Sequence, residues 1–260
     1  MVATCEIINI GNELLIGKIV NSNASWLSNK ITYLGYNVSR ITVISDNICE
    51  IANSIQEAQS RHPHVIIITG GLGPTFDDIT LEGLAKALNV STKLNQKALN
   101  MIKKKYVTLG LNMTKERIKM AKFPENADAL QNPVGTAPGC LIKSNGVLII
   151  ALPGVPQEMK EIFESLTPKF KKISGKFFFD ETSFDVTGIS ESELAPFVKN
   201  IMEKYDLIYI KSHPQKTKQC SKLEIHITGF GNSDQKLRKQ ISSASLQLKE
   251  YILSINGIIK

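Results

Sequence analysis

Three short apolar runs recur early in the chain: "CEIINIG" at 5–11, "YNVSRITVISD" at 36–46 and "HVIIIT" at 64–69. A strand as uniformly apolar as "VIIIT" has no face to offer water, so it belongs in a sheet covered on both sides. Between the runs lie longer segments with helical spacing. In "NSNASWLSNKITYLG", Ala24, Leu27, Ile31 and Leu34 share a face before Gly35 stops the helix; in "ICEIANSIQEAQSRH", Ile48, Ile51, Ile55 and Ala58 do the same. Strand, helix and strand in alternation predict an α/β domain built on a mostly parallel sheet.

The rhythm continues to about residue 170. "ITLEGLAKALN" reads as a helix with Thr80 as its cap and Asp77, Asp78 and Glu82 near its positive end. A helix is expected over Asn95–Leu109, and "NMTKERIKMAKFPENA" should end in a turn at its proline. "CLIKSNGVLIIALPG" predicts a hairpin turning at Asn145 and Gly146, and "VPQEMKEIFESLTPKF" a closing helix with Pro156 in its first turn. Past Lys171 the order becomes strand, helix, strand, strand, long helix, which predicts a small α+β second domain. The division is therefore 1–170 and 171–260. In the second domain "KFFFDETSF" reads as a core strand and "HPQKTKQCSK" as a hairpin loop.

Composition narrows the function. At 260 residues, 42% hydrophobic and 21% charged, the chain has the make-up of a globular protein. No apolar run approaches the ~20 residues of a membrane helix. The N-terminus lacks a basic stretch followed by an apolar core, so a cytoplasmic location with no membrane partner is expected. The formal charge of +7 is spread: residues 1–170 hold 17 basic and 14 acidic side chains and 171–260 hold 14 and 10. That even spread, with Lys103–Lys105 read as a solvated helix face, argues against a nucleic-acid partner. Cys5, Cys49, Cys140 and Cys220 form no metal or redox spacing and have no obvious basic neighbour, so they are expected to be reduced, structural thiols. The four histidines are dispersed, which favours structural roles.

Ligands of open α/β sheets gather at the carboxyl ends of the strands. There the chain sets "TGGLGPTFDD", Thr69–Asp78. Gly70, Gly71 and Gly73 remove side chains where backbone N–H groups could meet a phosphate. The loop matches neither the dinucleotide fingerprint nor the P-loop. Asp77 and Asp78 beside it would repel a phosphate unless a divalent cation intervened. A tight turn with helix-starting aspartates would use the same residues. Glu13 is a further candidate carboxylate, and "NPVGTAPG", with Gly135 and Thr136, could hold a polar ligand or simply turn the chain.

Taken in order, "GNELLIGKIVNSNASWL", "TGGLGPTFDDIT", "NPVGTAPG" and "LPGVPQEM" resemble the CinA-like family (competence/damage-inducible protein A) of the molybdopterin-binding superfamily. The likeness spans about residues 5–170, and "GISESEL" and "YIKSHP" resemble the middle domain of the same proteins. Longer members continue into a nicotinamide mononucleotide deamidase domain, which residues 1–260 do not contain. The resemblance implies a three-layer molybdopterin-binding-like fold and a homodimer. It also implies hydrolysis of ADP-ribose to AMP and ribose 5-phosphate with a divalent metal, cobalt or magnesium, and potassium. Asp78 takes the place of the superfamily's shared acidic residue, and Asp77 replaces an arginine as is typical of this branch. On the resemblance, Asp78 and Asp77 are the catalytic or metal-binding groups, with Glu13 as a further metal candidate. Gly70, Gly71, Gly73 and Thr75 would contact phosphate, and Glu13, Asn21, Asn23 and Asp46 would lie around the ribose, the metal or the attacking water. Pro74, Thr80, Gly135, Thr136, Pro153 and Gly154 would complete the substrate-binding set. The competing reading is a non-catalytic binder of molybdopterin or a nucleotide.

Overall fold

The computed structural model describes residues 2–216 and 221–260. They form two compact units: Ala3–Thr32 with Tyr36–Ile173, and Tyr33–Gly35 with Ser174–Lys260.

The first unit runs β1 (Ala3–Ile10), α1 (Asn12–Leu15), α2 (Ser22–Tyr33), β2 (Tyr36–Ile44), α3 (Ile48–Ser60), β3 (Val65–Thr69) and α4 (Thr80–Ala87). It continues through β4 (Thr92–Leu94), α5 (Gln96–Thr108), α6 (Lys115–Lys119), β5 (Lys122–Pro124), β6 (Asp128–Leu130), β7 (Gly139–Ser144), β8 (Val147–Leu152), α7 (Pro156–Ser165) and α8 (Thr167–Ser174). Its sheet has the order β2-β1-β3-β8-β7-β6. The pairings from β2 through β8 are parallel, and those of β8 with β7 and of β7 with β6 are antiparallel.

Every residue of β3 and of β8 is buried, as the apolar runs demand. Alternation along the pleat sends Ile8, Ile66, Ile68 and Ile149 into one cluster with Ile51 and Ile55 of α3, Leu84 of α4 and Ile102 of α5. Ile7, Ile67 and Ile150 lie outside that cluster and are equally buried. Toward the other side, the Trp26 ring of α2 meets Phe163 of α7 at 5.3 Å, and Phe163 meets Phe170 of α8 at 4.9 Å. The result is helix, sheet and helix in three layers. The hairpin between β7 and β8 turns where expected, with Asn145 and Gly146 both at positive φ, 50° and 82°.

One charge sits deep in this sheet. Glu6 of β1 is 2% exposed. Arg61, just past the end of α3, meets it with Nε and an Nη at 2.7 Å each, a two-pronged contact that satisfies both carboxylate oxygens.

The second unit contains β9 (Phe178–Thr187), α9 (Glu191–Lys204), β10 (Ile208–Lys216), β11 (Ser221–Gly231), α10 (Asp234–Ser254) and β12 (Ile258–Ile259). Its sheet is antiparallel in the order β10-β11-β9-β12 and covers a core shared with α9 and α10. Ser190 and Glu193 close the start of α9 reciprocally. Two expectations change. His213–Lys216 of the expected loop "HPQKTKQCSK" extend β10, and Ser221 and Lys222 open β11, because ladder pairing continues from Ile208↔Gly229 to Lys216↔Ser221; residues 217–220, Cys220 included, lie outside the described residues. Within "KFFFDETSF", only Phe184 enters the core and Phe178 is exposed, since a strand with one wet face buries every second side chain.

No helix among the described residues is long and apolar enough to cross a membrane. Cys5 and Cys140 are buried, and burial pushes both thiols well above the ordinary range. Cys49 departs from expectation: it is exposed, and Lys86 Nζ stands 3.1 Å from its Sγ, a basic neighbour supplied by α4.

Replacing Arg61 with Met leaves the Glu6 carboxylate buried and unpaired. Stability should fall by about 2–4 kcal/mol, with Arg61 itself one third exposed. Urea unfolding of the variant should show this, and Glu6→Gln combined with Arg61→Met should recover most of the loss.

Candidate functional site

Because β1, β3 and β8 run parallel in register, Asn9 pairs with Thr69 and Thr69 with Leu152. The three strands therefore end together, and the loops that leave them surround one cavity of about 380 Å³. Two of these loops converge by sharing close space. The N–H of Gly70 donates to Leu152 O at 3.0 Å, and a Cβ on Gly70 would stand 2.2 Å from Ile10 O. Gly70 has φ 109° and Gly71 φ 63°, so the chain leaves β3 through conformations that favour glycine.

The N–H of Gly70 is thus already committed. The N–H groups of Gly71, Leu72 and Gly73 meet no acceptor among the described residues. Beneath them lies Thr80, which corrects the capping expectation. It is the first residue of α4, fully buried, and its hydroxyl donates to Gly70 O at 2.8 Å; Ile79 stands at the cap position with no side-chain bond. Thr80 braces the glycine loop from below.

Beyond Pro74 the loop folds around Thr75. Its N–H donates to Asp78 Oδ2 at 2.8 Å and its hydroxyl reaches Asp78 Oδ2 at 2.6 Å and Asp77 Oδ1. A hydroxyl has one proton, so it can serve only one of the two carboxylates at a time. Lys119 of α6 donates to Thr75 O at 2.9 Å. The Thr75 hydroxyl first, and Lys119 more weakly, hold the Asp77 carboxyl below its usual value.

Across the cavity stand Glu13 and Asp46. Asp46 accepts the N–H of Asn12 at 2.9 Å. Burial, joined by the negative fields of Glu13, Asp77 and Asp78, nevertheless holds its carboxyl above the ordinary range. With Glu158, which lines the same cavity, five carboxylates thus face one small space. Among the described residues no three acidic, thiol or imidazole groups converge closely enough to hold a metal ion by themselves.

Thr136, Pro153 and Gly154 complete the same wall. Gly135 stands apart from it, in a neighbouring depression lined by Lys104 and Lys105, and a Cβ there would run into the Glu158 carboxylate. Asn21 and Asn23 line a second cavity that adjoins the first. Asn23 ties the site together, its Nδ2 donating to Gly154 O at 2.8 Å and Thr69 Oγ1 at 3.3 Å. Sequence reasoning missed Glu158, Asn132 and Asn9. Asn132 is buried and shapes the Thr136 loop by accepting the N–H of Gly135 at 2.7 Å and donating to Glu158 Oε2 at 2.6 Å. The asparagine that opens "NPVG" is an Asx-turn signal that could have located it.

A three-layer sheet whose parallel strands end at a glycine loop ringed by carboxylates is the architecture of a small-molecule-binding α/β domain. The chain belongs to the family described as "Probable molybdopterin binding domain", whose model matches residues 6–172. It is 46% identical to a Sulfurisphaera tokodaii protein over 98% of this chain and 97% of that one. A Saccharolobus solfataricus protein is 44% identical over 98% and 94% of the two chains. Among solved structures, "the protein CinA with unknown function" from Thermoplasma acidophilum is 41% identical with a TM-score of 0.61, covering 64% of this chain and 98% of its own. The CinA-like resemblance therefore holds, and with it a three-layer fold with an extra antiparallel unit.

Asp46 binds its proton more tightly folded than unfolded, so its contribution opposes folding increasingly as pH rises through its folded value. Asp46→Asn, which can still accept the Asn12 N–H, should raise the melting temperature at neutral pH. The gain should shrink as pH falls into the carboxylate range; a gain that is constant with pH would remove the electrostatic account.

Proposed function

We propose that the first unit is a metal-dependent hydrolase of a nucleotide diphosphate, with ADP-ribose the leading substrate and AMP and ribose 5-phosphate the products. The observation that carries this reading is the meeting, around one cavity, of three N–H groups that find no acceptor among the described residues and five carboxylates. The amides suit a phosphate, and the carboxylates suit it only with a cation between.

The lack of three convergent protein ligands fits such an ion. Magnesium-type sites commonly use one or two carboxylates and complete the shell with substrate phosphate oxygens and water. Asp77 and Asp78, joined through Thr75, are the residues that would hold it, with Glu13 across the cavity. A bound divalent ion would neutralise and polarise the diphosphate. In the reaction a water oxygen bonds to phosphorus as the bridging P–O bond breaks, and the leaving phosphate takes the electron pair. Asp46, whose carboxyl is held above the ordinary range, would accept the water's proton. Gly71, Leu72 and Gly73 would meet the charge that builds on the phosphate oxygens.

Binding of molybdopterin or a nucleotide without turnover is the second reading, favoured by the family to which the chain belongs. Incubation with ADP-ribose and magnesium or cobalt, with and without potassium, separates the two through the products formed. Asp78→Asn should lower turnover by about 10²–10³-fold while leaving the melting temperature nearly unchanged. Full activity in that variant would sink the assignment. The homodimer is likewise a proposal: light scattering should return twice the 28.7 kDa chain mass, and a monomer would refute it.

A further inference from the structure

A cavity of about 780 Å³ opens between α5 and the loop 131–138. Its volume is that of a site for a whole small molecule, ~300–1,000 Å³. From α5 come Lys97, Asn100, Met101, Lys104, Lys105 and Thr108, spaced by threes and fours so that they share one helix face. The opposite face of α5, with Ala98, Leu99, Ile102 and Tyr106, is buried in the core. Helical geometry thus divides the basic run 103–105: Lys104 and Lys105 line the cavity, and Lys103 does not.

The polar groups on this wall donate. Lys105 Nζ donates to Pro133 O, which ties α5 to the loop and leaves two of its three N–H groups. Lys97 and Lys104 have neither an ion pair nor a side-chain hydrogen bond among the described residues. Asn100 Oδ1 accepts Gln96 Nε2 at 3.0 Å, so its Nδ2 is left as a donor. No lining residue is acidic. Glu158, the nearest carboxylate across Gly135, accepts Asn132 Nδ2 at 2.6 Å and lines the carboxylate cavity instead. Two cavities of opposite charge therefore adjoin at Thr136, which lines both.

The cations are also spread. Seven residues separate Lys97 from Lys104, which is ~10 Å along a helix axis. Between them lies Met101, with Pro133 and Pro138 contributed by the loop. An elongated ligand with a negative group at each end fits this order of charge, apolar middle and charge. All the cations on the wall are lysines. A planar carboxylate is best met by the fork of an arginine, whereas the compact ammonium suits the rounded phosphoryl group.

We propose that this cavity binds a small molecule with a phosphoryl group at each end, of the size of a sugar bisphosphate. One group lies on Lys97, the other on Lys104 and Lys105, and Asn100 Nδ2 donates between them. Because the wall itself supplies the positive charge, binding here needs no metal ion, unlike the carboxylate cavity. The site therefore stands independently of the hydrolase reading.

Calorimetric titration with fructose 1,6-bisphosphate, inorganic phosphate and succinate, in chelator and at physiological salt, tests this. The bisphosphate should bind, and at least about tenfold more tightly than either of the others, because only it offers a phosphoryl group to both ends. Lys97→Met and Lys104→Met, at exposed positions, should each weaken it at least about tenfold with the melting temperature unchanged. Lys103→Met, which removes the same charge off the cavity, and Asp78→Asn should leave it unchanged. No binding in chelator overturns the proposal, as does succinate binding as tightly as the bisphosphate. An equal loss in Lys103→Met would mark general charge attraction and overturn it too. Binding that requires magnesium and is lost in Asp78→Asn would put the ligand in the carboxylate cavity, refuting this site while upholding the hydrolase reading.

Discussion

The first unit depends on β3 being held in parallel register between β1 and β8. Its five residues are all buried and carry no charge, so every backbone group must be paired on both sides. A one-residue slip would exchange the faces of Ile66 and Ile67, which pack into opposite layers. Register is therefore strongly specified, and it brings Ile10, Thr69 and Leu152 to a common edge. Every group of the candidate site hangs from that edge.

The glycine loop shows how fold and site constrain each other. Gly70 must be glycine because Ile10 O fills the place of its Cβ, and this close approach is what lets the loops after β1 and β3 enclose a cavity. Thr80 then spends its hydroxyl on Gly70 O, and Asn23 spends its amide on Gly154 and Thr69. Such groups hold the frame. The unspent ones, the amides after Gly70 and the five carboxylates, are where chemistry can occur. Negative charge gathered on one cavity at the cost of a raised Asp46 is an arrangement that a bound cation would relieve.

Much of this was legible in advance, and the reason lies in how local each signal is. Helical spacing in α2 and α3, the uniform apolarity of β3 and the Asn-Gly hairpin turn each depend on residues close in sequence. So do the glycines and aspartates of 69–78. Thr80 was misread because capping is judged from neighbours, whereas its actual acceptor, Gly70 O, is ten positions back across a folded loop. Lys86 beside Cys49, and Glu158 beneath Gly135, join residues from different elements, and no spacing rule reports them.

Sequence alone determined the α/β alternation, the glycine loop with its paired aspartates and the order of motifs that marks the family, because period and order survive without coordinates. Only the tertiary structure decided which polar groups are spent on the frame and which remain free. Hydrogen bonds are saturable and most of these partners are far apart in the chain, so the distinction between a committed Gly70 N–H and an available Gly71 N–H exists only once β1, β3 and β8 end side by side.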